Sequence, residues 1–261
     1  RERGRWPRVF LSSLCVVFDN AAAPDWRIDL FRAIEAAPNC RFQMLTKRVG
    51  NVFQMIPPAW ANGGWPSHVG LMITVVNQEE ANRDIPKLLD LKARLGIPWV
   101  GLSIEPMLGP IQLGLISIGR GNYPSRRVVS DTIEPLNGKK VIGTATGYDF
   151  QPYPKIDWVI CGGESGPKAR PMHPDWARSL RDQCWEAETP FLFKQWGEWT
   201  DNETMGIDGN EQLRALYKIQ SGETDKIHTF DDNVQMYRLG KKVAGRLLDG
   251  DEHNGFPEAL T

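Results

Sequence analysis

The stretch IDWVICGGESGPKARPMHPDWARSLRDQCWEAETPFLFKQWGEW, residues 156–199, decides the fold class. Its apolar runs DWVIC (157–161) and PFLFK (190–194) read as buried strands. Between them Pro174 takes the favoured first position of a helix, with Trp176, Leu180 and Cys184 on one face. A buried strand, a helix and a second buried strand make a unit whose strands run parallel.

The same rhythm extends toward the N-terminus. RVFLSSL (8–14), FQMLT (42–46), VGLMITVV (69–76) and PWVGLSI (98–104) are further short apolar runs. A helix opens at Pro24-Asp25, carries Trp26, Leu30, Phe31 and Ile34 at helical spacing, and is closed by Pro38. Another starts near Glu79, sets Ile85, Leu88 and Leu89 on one face, and has Gly96 just past its end. Pro86 inside that pattern is expected to bend the helix or move its start. Residues 50–67, with Pro57-Pro58, Gly63-Gly64 and Pro66, read as mainly loop with a helical turn. Segment 111–155 breaks the rhythm and reads as an insertion, with β-stretches near 126–130 and 139–144 forming a hairpin. Its Arg120, Arg126, Arg127, Lys139 and Lys140 read as a solvated surface, with a phosphate-facing flap as the sharper alternative. The α/β unit thus spans residues 1–200, and 201–261 form a polar extension ending in a short docking helix, Val243 to Leu248.

Composition narrows the function classes. The chain has 261 residues, 41% of them hydrophobic, and 31 basic against 32 acidic side chains, which is ordinary globular usage with no global field toward DNA. No run approaches a membrane span, so a cytoplasmic protein with no membrane partner is expected. The four cysteines, Cys15, Cys40, Cys161 and Cys184, lack metal-binding spacing and read as reduced, mostly buried thiols, so no metal ligand is assigned. Trp60, Trp65, Trp196 and Trp199, beside Gly or Pro, read as packing lids before ligand stackers. Because the first strand lies within ten residues of Arg1, a truncated or processed chain is expected.

In parallel α/β folds function gathers at the carboxyl ends of the strands. Those ends carry Ser12 and Ser13, Lys47 and Arg48, Asn77 and Gln78, Glu105, Glu164 and Ser165, then Lys194 and Gln195. Two carboxylates and two lysines on one rim suit acid–base work, or else form structural ion pairs, Lys47 with Glu105 or Glu164 with Lys194. Gly162-Gly163 is either a plain turn or one whose N–H groups approach a ligand. His173, just before a helix, reads as structural.

Taken together, FQMLTKR (42–48), VVNQEEANRDIPKLL (75–89), LSIEPMLGP (102–110), residues 156–184 and FLFKQWGEW (191–199) resemble the phage gene-product 37/68 family, itself similar to radical S-adenosylmethionine enzymes. The resemblance implies a partial (β/α) barrel of the radical-SAM type, a [4Fe–4S] cluster, S-adenosylmethionine, and a nucleic acid or nucleotide as the partner to be modified. It implies catalytic or orienting roles for Lys47, Glu105, Glu164 and Lys194, and cofactor contacts for Ser13, Asn77, Gly162, Gly163, Ser165 and Gln195. The chain departs from the family pattern at Val16 and Val76, where acidic residues are expected, and it shows no three-cysteine motif. These departures imply the alternative of a non-catalytic binding protein on a degenerate barrel. A metal-independent hydrolase with Glu105 or Glu164 as base is a third, weaker reading.

Overall fold

A computed structural model describes residues 6–11, 17–120, 130–143, 147–201 and 226–260. Ser12, Ser13, Cys15, Val16, Arg126 and Arg127 lie outside the described residues. Strands β1 (Arg8–Leu11), β2 (Arg41–Thr46), β3 (Val69–Thr74) and β4 (Val100–Ile104) pair in parallel in chain order. Helix α1 (Pro24–Glu35) links β1 to β2, short α2 (Val52–Met55) follows β2, and α3 (Gln78–Leu95) links β3 to β4. The Asn77 side chain caps α3 by accepting from Glu80 N at 3.0 Å, and Gly96 ends it at a left-handed φ of 66°. Pro86 neither breaks α3 nor moves its start.

The insertion is larger than a hairpin. Strands β5 (Ile116–Arg120), β6 (Ser130–Glu134), β7 (Lys139–Gly143) and β8 (Tyr148–Pro152) form a four-stranded antiparallel meander. Ile116 and Ile133 join the core beneath the helices, and Gln183 of the later helix donates to Ile111 O at 3.0 Å. The described part of the insertion therefore packs on the helix side of the sheet.

The parallel sheet resumes with β9 (Trp158–Gly162), helix α4 (Pro174–Glu186) and β10 (Phe191–Gln195). Its strand order is β1-β2-β3-β4-β9-β10, a curled six-stranded half-barrel. Strand β11 (Trp199–Thr200) pairs with β13 (Gln235–Arg238), which also pairs with β12 (Ile227–Thr229), so a small sheet crosses position 200. The tail helix is shorter and earlier than expected: α5 spans Lys241–Ala244 and stops where Gly245 takes a φ of 75°. Among the described residues no helix is long and apolar enough to cross a membrane.

Alternation along the strands sorts side chains onto two faces. Met44, Leu71, Ile73, Leu102, Ile104 and Phe193 share one core with Phe31, Leu88 and Leu180 of the helices. Met72, Trp99, Trp158 and Ile160 form a second core with Phe256 and Leu260 of the C-terminal segment. The second cluster occupies the inner face, the one the helices leave uncovered. Trp26, expected on the packed side of α1, is instead exposed, because Phe31 and Ile34 alone set that helix's buried stripe. Trp60, Trp65, Trp196 and Trp199 are all buried, with indole N–H groups bonded to Glu35, Val69 O, Leu247 O and Ala169 O. They are packing residues.

Candidate functional site

Glu105 follows β4, Lys194 and Gln195 close β10, and β9 runs between. Pairing of Ile104 with Cys161 sets Glu105 beside Gly162. A Cβ at Gly162 would lie 3.4 Å from Cγ and Cδ of Glu105, so Glu105 passes close over the Gly162 backbone to reach β10. There Lys194 Nζ donates to Glu105 Oε2 at 2.8 Å, and Gln195 Nε2 donates to Oε1 at 3.0 Å. Consecutive residues of a regular strand point to opposite faces. The register shift between Phe193 and Gln195 is a bulge that aims both at one carboxylate. Gln195 Nε2 also donates to Ser165 Oγ at 3.1 Å, which joins the post-β9 loop to the network.

Glu164 is held elsewhere. Arg170 donates through Nε, Nη2 and its backbone N, each at 2.8 Å. The Arg170 hydrogen bonds keep the Glu164 carboxyl below its ordinary range. The ion pairs are thus Glu105–Lys194 and Glu164–Arg170, in place of Lys47–Glu105 and Glu164–Lys194. Strand β3 separates Lys47 from Glu105, whereas only a glycine separates Glu105 from β10. Lys47 is exposed just past β2.

The glycines of CGGESG and FKQWGEW have a packing reason. A Cβ on Gly163 would lie 1.9 Å from Trp196 O, and one on Gly197, at a φ of 81°, would lie 2.1 Å from Glu164 O. The two loops press backbone to backbone, with Gly163 N donating to Gln195 O and Glu198 N to Glu164 O, both at 2.9 Å. The Gly163 amide is therefore engaged within the fold. Asn77 caps α3, and His173 caps α4 by accepting from Asp175 N through Nδ1, while its Nε2 lies 2.9 Å from Asp232.

A cavity of about 350 Å³ lies on the inner face beside the Glu105–Lys194 pair. Phe10 of the first strand and Leu192 of the last both line it, so the sheet curls enough for its two edges to share one space. Ser103 and Ile160 form its floor, and Arg246, Asn254 and Phe256 close it from the tail. The tail is held as a strap on the edge of β10: Gly255 N donates to Phe191 O at 2.8 Å and Phe193 N to His253 O at 3.0 Å. Trp158 Nε1 donates to Gly255 O at 2.8 Å, and the Arg8 guanidinium stacks 4.2 Å over the Phe256 ring. Arg246 Nη2 hydrogen-bonds Asn254 Oδ1. Of the expected site residues the cavity gathers Glu105 and Lys194 directly, with Gln195 and Ser165 behind them; Lys47, Asn77 and Glu164 do not line it. Sequence reading missed Ser103, Arg246 and Asn254. Only for Ser103 was there a local signal, a lone hydroxyl in an otherwise apolar strand.

The family-model comparison matches residues 1–257 to DUF5131, described as a protein of unknown function. The chain belongs to the DUF5131 family. No curated protein and no solved structure matches it. This DUF5131 chain does not offer a cluster site among its described residues. Cys40 precedes β2, Cys161 lies in β9 and Cys184 in α4. Burial pushes the Cys161 thiol up and raises Cys184 to about 12. No group of three or more His, Cys, Asp or Glu is placed to hold a metal among the described residues.

Proposed function

We propose that the inner-face cavity binds a nucleotide unit, and that the chain supplies the substrate-binding bowl of a radical-SAM-like protein acting on nucleotides or nucleic acid. One observation carries this reading: a single cavity combines the aromatic walls Phe10 and Phe256 with Lys194, Arg246, Glu105 and Asn254. Aromatic faces take a planar base, and lysine and arginine take phosphate oxygens. A carboxylate and an amide take ribose hydroxyls or amines. Arg246 Nε is buried and has no hydrogen-bond partner among the described residues, and an anionic ligand oxygen would satisfy it.

Calorimetric titration tests the reading, using nucleoside monophosphates, a short single-stranded oligonucleotide and S-adenosylmethionine as probes. Saturable binding to the wild-type chain, weakened by Lys194→Ala, supports it. Lack of saturable binding by every probe at millimolar concentration overturns it.

The second reading is binding without chemistry. It is favoured by the state of the candidate acid–base groups, since both carboxylates are tied up in ion pairs. The gene sequence upstream of the Arg1 codon separates the two readings: a three-cysteine cluster motif encoded there supports the radical-SAM-like reading, and its absence supports the binding module.

A further inference from the structure

Beneath the Glu105–Lys194 pair the inner face becomes more deeply buried. Strand register sets Thr74 beside Ser103, Ser103 beside Ile160, and Ile160 beside Leu192. The next row down is Leu45, Met72, Gly101 and Trp158, which carries no polar group toward the cavity except the indole N–H already given to Gly255 O. Thr74 is 6% exposed and Ser103 5%. The same strands place Leu71, Ile73, Leu102 and Ile104 on their other face. Two neighbouring hydroxyls, each a donor and an acceptor, thus share the inner face, and Ser103 lines the cavity directly. Hydroxyls held by strand backbone at the base of a cavity give a ligand fixed positions at which to hydrogen-bond.

Exposure rises from this floor to the rim. The side chains of Lys194 and Arg246 are 52% and 43% exposed. A phosphate, costly to strip of water, belongs at the rim, and a base, which is planar and largely apolar, belongs inside. We propose that Ser103 and Thr74 read the hydrogen-bonding edge of the base of a bound nucleotide, with its phosphate held at Lys194 and Arg246. This inference rests on the nucleotide reading above and adds the orientation of the ligand and the residues that set base preference.

The test compares AMP, GMP, CMP and UMP with ribose 5-phosphate, which keeps sugar and phosphate but has no base. Wild type, Ser103→Ala, and Thr74→Val with Ser103→Ala are titrated, each with a thermal melt to check folding. If the double variant does not fold, the single variant, which removes one oxygen, carries the test. The wild type is expected to bind its preferred nucleotide more tightly than ribose 5-phosphate. Ser103→Ala should lower that affinity about three- to tenfold and shrink the spread among the four bases. Binding of ribose 5-phosphate should not change. Lys194→Ala should weaken nucleotides and ribose 5-phosphate alike. Unchanged base preference in a folded variant overturns the inference while the nucleotide reading stands, as does an equal loss for ribose 5-phosphate. Failure of the wild type to bind any nucleotide overturns both.

Discussion

Lys194 and Glu105, from β10 and β4, meet at 2.8 Å across the bare backbone of Gly162. The pair closes one side of a cavity on the face of the sheet that the helices leave open. It is held from behind by Gln195 and, through it, by Ser165. Lys194 is half-exposed, so its charge can still meet an incoming anion, while Glu105 is fixed in place. The arrangement suits orientation of a ligand better than proton transfer, because the carboxylate already accepts hydrogen bonds at both oxygens.

The two adjacent glycines should differ sharply on substitution. Gly162→Ala adds a methyl at 3.4 Å from Glu105, close to ordinary contact, and should cost at most about 1 kcal/mol. Gly163→Ala drives a methyl to 1.9 Å from Trp196 O, a backbone atom that cannot yield, and should cost more than about 3 kcal/mol. Urea unfolding of both variants reads the contrast. Equal stabilities would show that the loops are not pressed together as described.

Acid sensitivity should trace in part to Glu164. Its folded pKa is depressed by the Arg170 hydrogen bonds, so the unfolded state binds the proton more readily. The stabilisation is fully present above the unfolded value of about 4.3 and disappears as pH falls through the folded value. Arg170→Ala should therefore be less stable than wild type at neutral pH, and the gap should close on acidification. Both partners keep solvent contact, so the effect is modest. A gap that widens below pH of about 4 would contradict the pairing.

The six parallel strands were legible because each is a continuous apolar run flanked by turn residues, and a strand buried on both faces must read that way. The meander was only half legible. Strand β8, YDFQP, is exposed at every position, so nothing in its pattern separates it from a loop, and it is ordered by pairing with β7. Strand ends were a sound guide to Glu105 and Lys194. Their partners were not, because pairing depended on a bulge after Phe193 and on the passage of Glu105 over Gly162 to the second strand along. Arg246 and Asn254 reach the cavity only because the tail folds back along β10, a non-local event with no strand-end mark in the sequence.

Thiol chemistry gives an independent check on the cysteines. Burial raises Cys184 to about 12 and pushes Cys161 higher, so at pH of about 8 neither is a thiolate. Native protein treated with iodoacetamide and mapped by peptide mass spectrometry should show Cys40, which is half-buried, modified well before Cys161 and Cys184. In denaturant the three should react alike. Native modification of Cys161 at the rate of Cys40 would place that thiol outside the helix-side core.

The strap offers a way to open the cavity without touching its charged residues. Gly255 lies so close to β10 that a Cβ would sit 2.6 Å from both N and O of Phe191. Because the clash is with strand backbone, Gly255→Ala should lift the strap, since the strap is held by few contacts and the strand by a whole sheet. Lifting it breaks the Trp158–Gly255 hydrogen bond, removes the Phe256 ring from Trp158, and withdraws Asn254 and Phe256 from the cavity wall. The helix-side core is untouched, while the core around Met72 loses at least the Phe256 ring. The expected result is faster proteolytic release of the C-terminal residues, a change in tryptophan fluorescence, and nucleotide binding weakened about tenfold or more, with urea stability lowered by about 1 to 2 kcal/mol. Gly114→Ala, where a Cβ meets nothing within 4 Å, is the neutral control. If Gly255→Ala unfolds the whole chain instead, the strap is part of the cooperative core; if it changes neither proteolysis nor binding, the strap does not close the site.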